Sequence, residues 1–153
     1  MLQARKTSVW RSRYEVVADG RPVTTWDGAF WNNGGDFTLD GRRYEVRGNA
    51  WGSRFTMVDG SGAQLARAER VGRKRWTVEA GGRVHHFQRA SVFGSEQELV
   101  TDGRRVGSVR CTSVWRGDVT ADLPGLPLPV QIFVLGVAVA MWNAQAAASG
   151  AGG

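Results

Sequence analysis

Ahead of residue 121 the chain alternates apolar and polar side chains in short runs. In Arg43-Tyr44-Glu45-Val46-Arg47 the tyrosine and valine share one face and the charges share the other. Arg54-Phe55-Thr56-Met57 and Arg75-Trp76-Thr77-Val78-Glu79 repeat the pattern. A period of two is what a strand with one dry and one wet face requires. Asp-Gly pairs at 19–20, 27–28, 40–41, 59–60 and 102–103, with Gly-Gly at 34–35 and 81–82, supply the positive φ angles of tight hairpin turns. Many runs between glycines are too short for most helices, and roughly ten to twelve strands fit. Two runs fit less well: Gln64 to Val71 and Arg83 to Arg89 put charged and apolar groups on the same face, which predicts a bulge or an edge position.

The pattern changes near the C-terminus. From Leu123 onward no residue is charged, Pro124, Pro127 and Pro129 mark an extended lead-in, and Pro129 suits the first turn of a helix. Ile132 to Trp142 is apolar without interruption, so its side chains fall on all sides of a helical wheel and call for burial all round. This predicts a helix over about 129–147 within a single domain, 1–147, and a flexible tail, 148–153. Two placements compete. As a helix the apolar run spans roughly 16 Å, half of the ~30 Å hydrocarbon core of a bilayer, and its few large residues give only about 3–4 kcal/mol of insertion energy. Burial inside a protein is worth more, over ~10 kcal/mol before entropy. A barrel of eleven or twelve strands has room for a helix, and strands of five to seven residues, roughly 17–23 Å, match its length. The predicted class is therefore mainly β, a closed antiparallel barrel of about twelve strands around a buried C-terminal hydrophobic helix. A tail-anchored membrane protein with a soluble β domain is the alternative. A small-ligand barrel is excluded if the helix fills the interior.

Composition adds charge but little chemistry. The formal net charge is +6, almost all of the positive side is arginine, and such a surface attracts phosphates. Cys111 is the only cysteine, which leaves no intrachain disulfide and reads as a small buried hydrophobe. His85 and His86 are adjacent on a predicted strand and point to opposite faces, a poor arrangement for one metal. No GxSxG elbow or carboxylate pair is evident, so neither an enzyme nor a cofactor is expected. Met1 to Arg13 is basic without an apolar core, which argues against a secretory signal and makes the cytoplasm, free or peripheral to a membrane, the expected location. The densest basic stretch is Arg67, Arg70, Arg73, Lys74 and Arg75, across a predicted hairpin with Arg73 and Lys74 at its tip beside Gly72. Each cation near an anionic membrane is worth about 1 kcal/mol, so Arg70, Arg73, Lys74 and Arg75 are the candidate lipid-headgroup residues. Tryptophans beside basic groups also suit nucleic acid, but Trp10, Trp26, Trp31, Trp51, Trp76, Trp115 and Trp142 are spread widely, and a large barrel needs bulky core residues, so nucleic acid ranks lower.

In organisation the chain resembles the Tubby C-terminal-like superfamily, which includes Tubby proteins, phospholipid scramblases and LURP-one-related proteins. The resemblance is carried by Arg54-Phe55-Thr56-Met57-Val58-Asp59-Gly60, by Thr101-Asp102-Gly103-Arg104-Arg105-Val106-Gly107 and by the closing segment Leu128 to Trp142, and it runs from about Tyr14 to Trp142. It implies a twelve-stranded barrel around a hydrophobic helix, and a non-enzymatic role in binding phosphoinositide or another anionic phospholipid. No acidic calcium loop of the scramblase kind is evident.

Overall fold

The computed structural model describes residues 1–7, 13–27, 34–91, 95–113 and 118–151. Twelve strands precede one helix: β1 (Leu2–Lys6), β2 (Arg13–Ala18), β3 (Arg21–Asp27), β4 (Gly35–Leu39), β5 (Arg42–Gly48), β6 (Phe55–Asp59), β7 (Gln64–Glu69), β8 (Arg75–Ala80), β9 (Arg83–Arg89), β10 (Gln97–Thr101), β11 (Arg104–Ser113), β12 (Asp118–Asp122) and α1 (Leu128–Ala151). Antiparallel ladders join them in the order β3-β2-β1-β12-β11-β10-β9-β8-β7-β6-β5-β4. Pairing of β1 with β12, Leu2 opposite Ala121, ties the two ends of the strand series together.

The barrel is nearly, not fully, closed. Its seam lies between β3 and β4, which sit side by side with no ladder between them among the described residues. Pro22 in β3 has no N–H to donate, and proline is accommodated there because the strand is an edge.

The alternation seen in the sequence sets which side of each strand is dry. Tyr44 and Val46, Phe55 and Met57, Trp76 and Val78 all point inward and are buried. Four of the expected turns are two-residue reversals: Asp19-Gly20, Asp40-Gly41, Gly81-Gly82 and Asp102-Gly103 all have both φ angles positive. Asp59-Gly60 differs. There the Asp59 carboxylate accepts from the backbone of Ser61 and Ala63 and from the Ser61 hydroxyl (2.6 Å), which closes a longer turn and holds its own pKa below the usual range. Gly34-Gly35 is no reversal: Gly35 opens β4, and a Cβ on Gly34 would meet the Val46 carbonyl oxygen. Gly28, of the 27–28 pair, lies outside the described residues.

The two irregular strands resolve differently. A register shift between Met57 and Val58 makes the β6–β7 pairing bulged, as the charge pattern of β7 predicts. Strand β9 is not an edge; β8 and β10 flank it with continuous register. Its mixed pattern instead leaves Val84 exposed and turns His85 inward beside Val78, half-buried.

Helix α1 fills the barrel. Every residue from Ile132 to Met141 is buried, and Ile132, Phe133, Val134 and Leu135 have no exposed surface. Consecutive residues cover the whole circumference of a helix, so burial of all of them requires a wall on every side. By length and composition alone, Leu128–Ala148 is also long and apolar enough to cross a membrane. The helix is started by the Gln131 amide, which donates to the Pro127 carbonyl (3.0 Å), and by the Gln131 side chain, which donates to the Leu126 carbonyl (2.7 Å). Where it leaves the barrel, the Trp142 indole N–H donates to the Ser95 carbonyl (2.9 Å). Buried Gln97 accepts from the Trp76 indole (2.9 Å) and donates to the same Ser95 carbonyl (3.2 Å), which ties strand, loop and helix together. Asn143 to Ala148 continue the helix into solvent.

Candidate anion-binding rim

Successive strands run in opposite directions, so the β5–β6, β7–β8 and β9–β10 connections share one end of the barrel. Ser95 lies in the last of these, and its bond to Trp142 puts the emerging helix at the same end. The basic stretch is the β7–β8 turn. Arg70 has a positive φ of 59°, Gly72 one of 91°, and the Arg73 amide donates to the Arg70 carbonyl (3.1 Å). Val71 is buried beneath the turn and donates its amide to the Ser53 carbonyl (3.0 Å), so this turn is fastened to the β5–β6 loop. The Lys74 carbonyl accepts from the Arg89 amide (2.9 Å).

All four predicted residues, Arg70, Arg73, Lys74 and Arg75, are exposed, and none has an acidic partner among the described residues. They do not converge on one point. Arg70 and Arg73 line a polar hollow of about 640 Å³ with Asn49, Ser53, Arg54 and Glu69. Arg75 faces a second hollow of about 440 Å³ on the outer wall, with Thr77, His86 and Gln88, and Arg70 borders both. Arg67, which the sequence places in the same basic stretch, is neutralised: its guanidinium meets Glu79 at 2.9 Å and Glu69 at 3.5 Å.

In the larger hollow, Arg54, Arg70 and Arg73 face the single carboxylate of Glu69, which leaves two positive charges in excess. Glu69 is itself shared between Arg54 (3.4 Å) and Arg67 (3.5 Å). The opposite side is a small rigid loop. Asn49 Oδ1 accepts from the amides of Ser53 (2.9 Å) and Arg54 (3.1 Å), its Nδ2 donates to the Ser53 hydroxyl (2.9 Å), and the Gly52 amide donates to the Asn49 carbonyl (3.1 Å). Arginines held around a concave polar surface, with no fixed counter-charge for Arg70 and Arg73, suit a phosphate-bearing ligand.

Two members of this rim were not singled out by the sequence. Arg54 reads as the outer residue of an ordinary strand pattern, and the β6–β7 ladder, with Phe55 opposite Ala68, together with the bond between Val71 and Ser53 brings it beside Glu69 and Arg70. A large barrel calls for most of the tryptophans in its core, yet Trp51 has 90% of its surface exposed at the apex of the β5–β6 loop. A local signal existed: Asn49-Ala50-Trp51-Gly52 is turn-forming composition, which argues against a buried strand position. Trp26 and Trp76 are buried as expected, stacked on Tyr14 at 5.7 Å and Phe87 at 4.5 Å, and Trp142 packs partly against the core. Trp10, Trp31 and Trp115 lie outside the described residues.

Other candidate chemistry is dispersed. His85 faces inward and His86 outward, and among the described residues no three His, Cys, Asp or Glu side chains gather as a metal site. Cys111 is half-buried, not enclosed as its type suggests. It lies near Tyr14, whose phenol is pushed up chiefly by burial and then by Cys111 and Asp118. The fold and rim together define a helix-filled, twelve-stranded antiparallel barrel that presents unpaired arginine and lysine at the end from which its helix emerges. Comparison with known families, curated proteins and solved structures finds no match for the chain.

Proposed function

We propose that this chain is a non-enzymatic barrel of the Tubby-like type that docks peripherally, from the cytoplasmic side, on membranes bearing anionic phospholipid or phosphoinositide. The observation that carries this is the run of exposed, unpaired cations Arg70, Arg73, Lys74 and Arg75 on one rim, two of them lining a hollow with excess positive charge. The resemblance to Tubby-like proteins supports it, since the helix-filled twelve-stranded barrel that the resemblance implies is the architecture observed. Glu69 and Glu96, acidic groups at the same end, are already engaged by arginine, which limits repulsion of a phosphate surface.

At about 1 kcal/mol per cation, four give adsorption that salt weakens, because exposed charges are screened beyond ~8 Å at physiological ionic strength. Reversing all four charges to glutamate should reduce binding to phosphatidylserine-containing vesicles by roughly a hundredfold or more while the far-ultraviolet spectrum stays unchanged. Vesicle sedimentation measures this. Equal binding by the reversed variant would remove the rim from the interaction.

A further inference from the structure

We infer that Trp51 is a membrane-inserting anchor, so that the rim recognises an anionic bilayer and not merely a soluble phosphate. This rests on the proposed docking surface and adds its apolar component. Among the described residues, Trp51 is the one exposed aromatic side chain, and its 90% exposure stands out in a protein that buries Trp26 and Trp76. Its loop is held in place. The Gly52 amide bonds back to Asn49, the Asn49 side chain clamps Ser53 and Arg54, and the Ser53 carbonyl receives the Val71 amide from the basic turn. The indole and the cations Arg54, Arg70 and Arg73 are therefore carried on one preorganised rim. The loop backbone is already ordered, so a partner that meets it has mainly side-chain rotamers left to fix.

Tryptophan partitions to the headgroup level of a bilayer, where its apolar ring and its N–H are both satisfied, while neighbouring arginines meet phosphates. A rigid apex with one indole and a rim of cations has the form of such an anchor. Nothing charged opposes it on the emerging helix, whose exposed residues Asn143 to Ala148 leave the barrel at the same end. Single-stranded nucleic acid fits less well, because successive bases stack on several aromatic faces along a groove, and the described rim offers one.

The test compares Trp51→Ala, Trp51→Phe and the four-fold charge reversal with the unaltered protein. The probes are phosphatidylcholine vesicles with about a fifth phosphatidylserine, inositol hexakisphosphate in solution, and single-stranded oligothymidine. Trp51→Ala should lower vesicle partitioning by about tenfold, with Trp51→Phe retaining most of it. Binding of inositol hexakisphosphate should be unchanged by either, because the cations remain. Brominated lipid should quench more fluorescence in the unaltered protein than in Trp51→Phe, as the inserted indole is the difference. Should Trp51→Ala partition like the unaltered protein while charge reversal abolishes binding, the anchor is overturned and electrostatic docking stands. If the unaltered protein ignores anionic vesicles, both are overturned. Loss of oligothymidine binding on Trp51→Ala, with vesicle binding intact, overturns the anchor in favour of base stacking.

Discussion

His85 shows what a single residue contributes when the strand pattern is imperfect. Strand β9 must place Phe87 inward against Trp76, and the period of two then turns His85 inward as well. Burial, followed by the charges of Arg83 and His86, holds its imidazole below the ordinary histidine range. The unfolded chain protonates at the ordinary value of about 6.5, so below that pH the unfolded state binds more protons. The stability due to neutral His85 is complete above ~6.5 and is lost as pH falls toward the depressed folded value. His85→Gln should therefore flatten the dependence of the urea midpoint on pH between about 7 and 5; an unchanged slope would assign that dependence to other groups. The opposed directions of His85 and His86 were legible in the sequence because adjacency in a strand fixes them. Trp76 alternates with Val78 in a strand pattern and Trp51 sits among turn-forming residues, so the burial of one and the exposure of the other were legible too. That the exposed indole shares a rim with Arg70 and Arg73 was not, because it depends on which loops meet.

At the level of elements, the junction of β11, β12 and the helix lead-in is closely packed. Gly107 in β11 has no room for a side chain: a Cβ would fall on the Asp122 carbonyl oxygen and lie 3.2 Å from the Pro124 ring. Asp122 ends β12, and Pro124 begins the turn that feeds Leu128 into the barrel, so this contact sets where the helix enters. Gly107→Ala should force a backbone shift and destabilise the protein by about 1–3 kcal/mol, read as a lower urea midpoint. Stability equal to that of the unaltered chain would mean the junction is softer than its packing indicates. The strand series itself could be read from alternation and turn dipeptides, because both are local properties of the backbone. The bulge opposite Met57 and Val58, the interior position of β9 and the unladdered seam at β3 and β4 could not, because each depends on which strand lies alongside.

For the whole molecule, the helix is the decisive element. Seven large apolar side chains, Ile132, Phe133, Val134, Leu135, Val137, Val139 and Met141, are buried by it. At about 1.5–3 kcal/mol each they contribute well over ~10 kcal/mol before entropy, comparable to the net stability of a whole domain. A chain ending at Asp122 should consequently fail to fold and should aggregate, which expression without detergent and a circular dichroism spectrum would show. A soluble, folded truncated chain, together with a full-length chain that needs detergent, would instead make Leu128–Ala148 a membrane anchor. The sequence by itself determined the class of the fold: a period of two dictates strands, Asp-Gly and Gly-Gly pairs dictate reversals, and an uncharged, all-round apolar segment dictates a helix that must be surrounded. Tertiary structure alone decided what surrounds that helix, where the ring of strands is left unladdered, and which arginines and which tryptophan share a rim. Local rules follow from the chain's own covalent geometry, whereas a rim is assembled from residues whose proximity exists only after distant strands have paired.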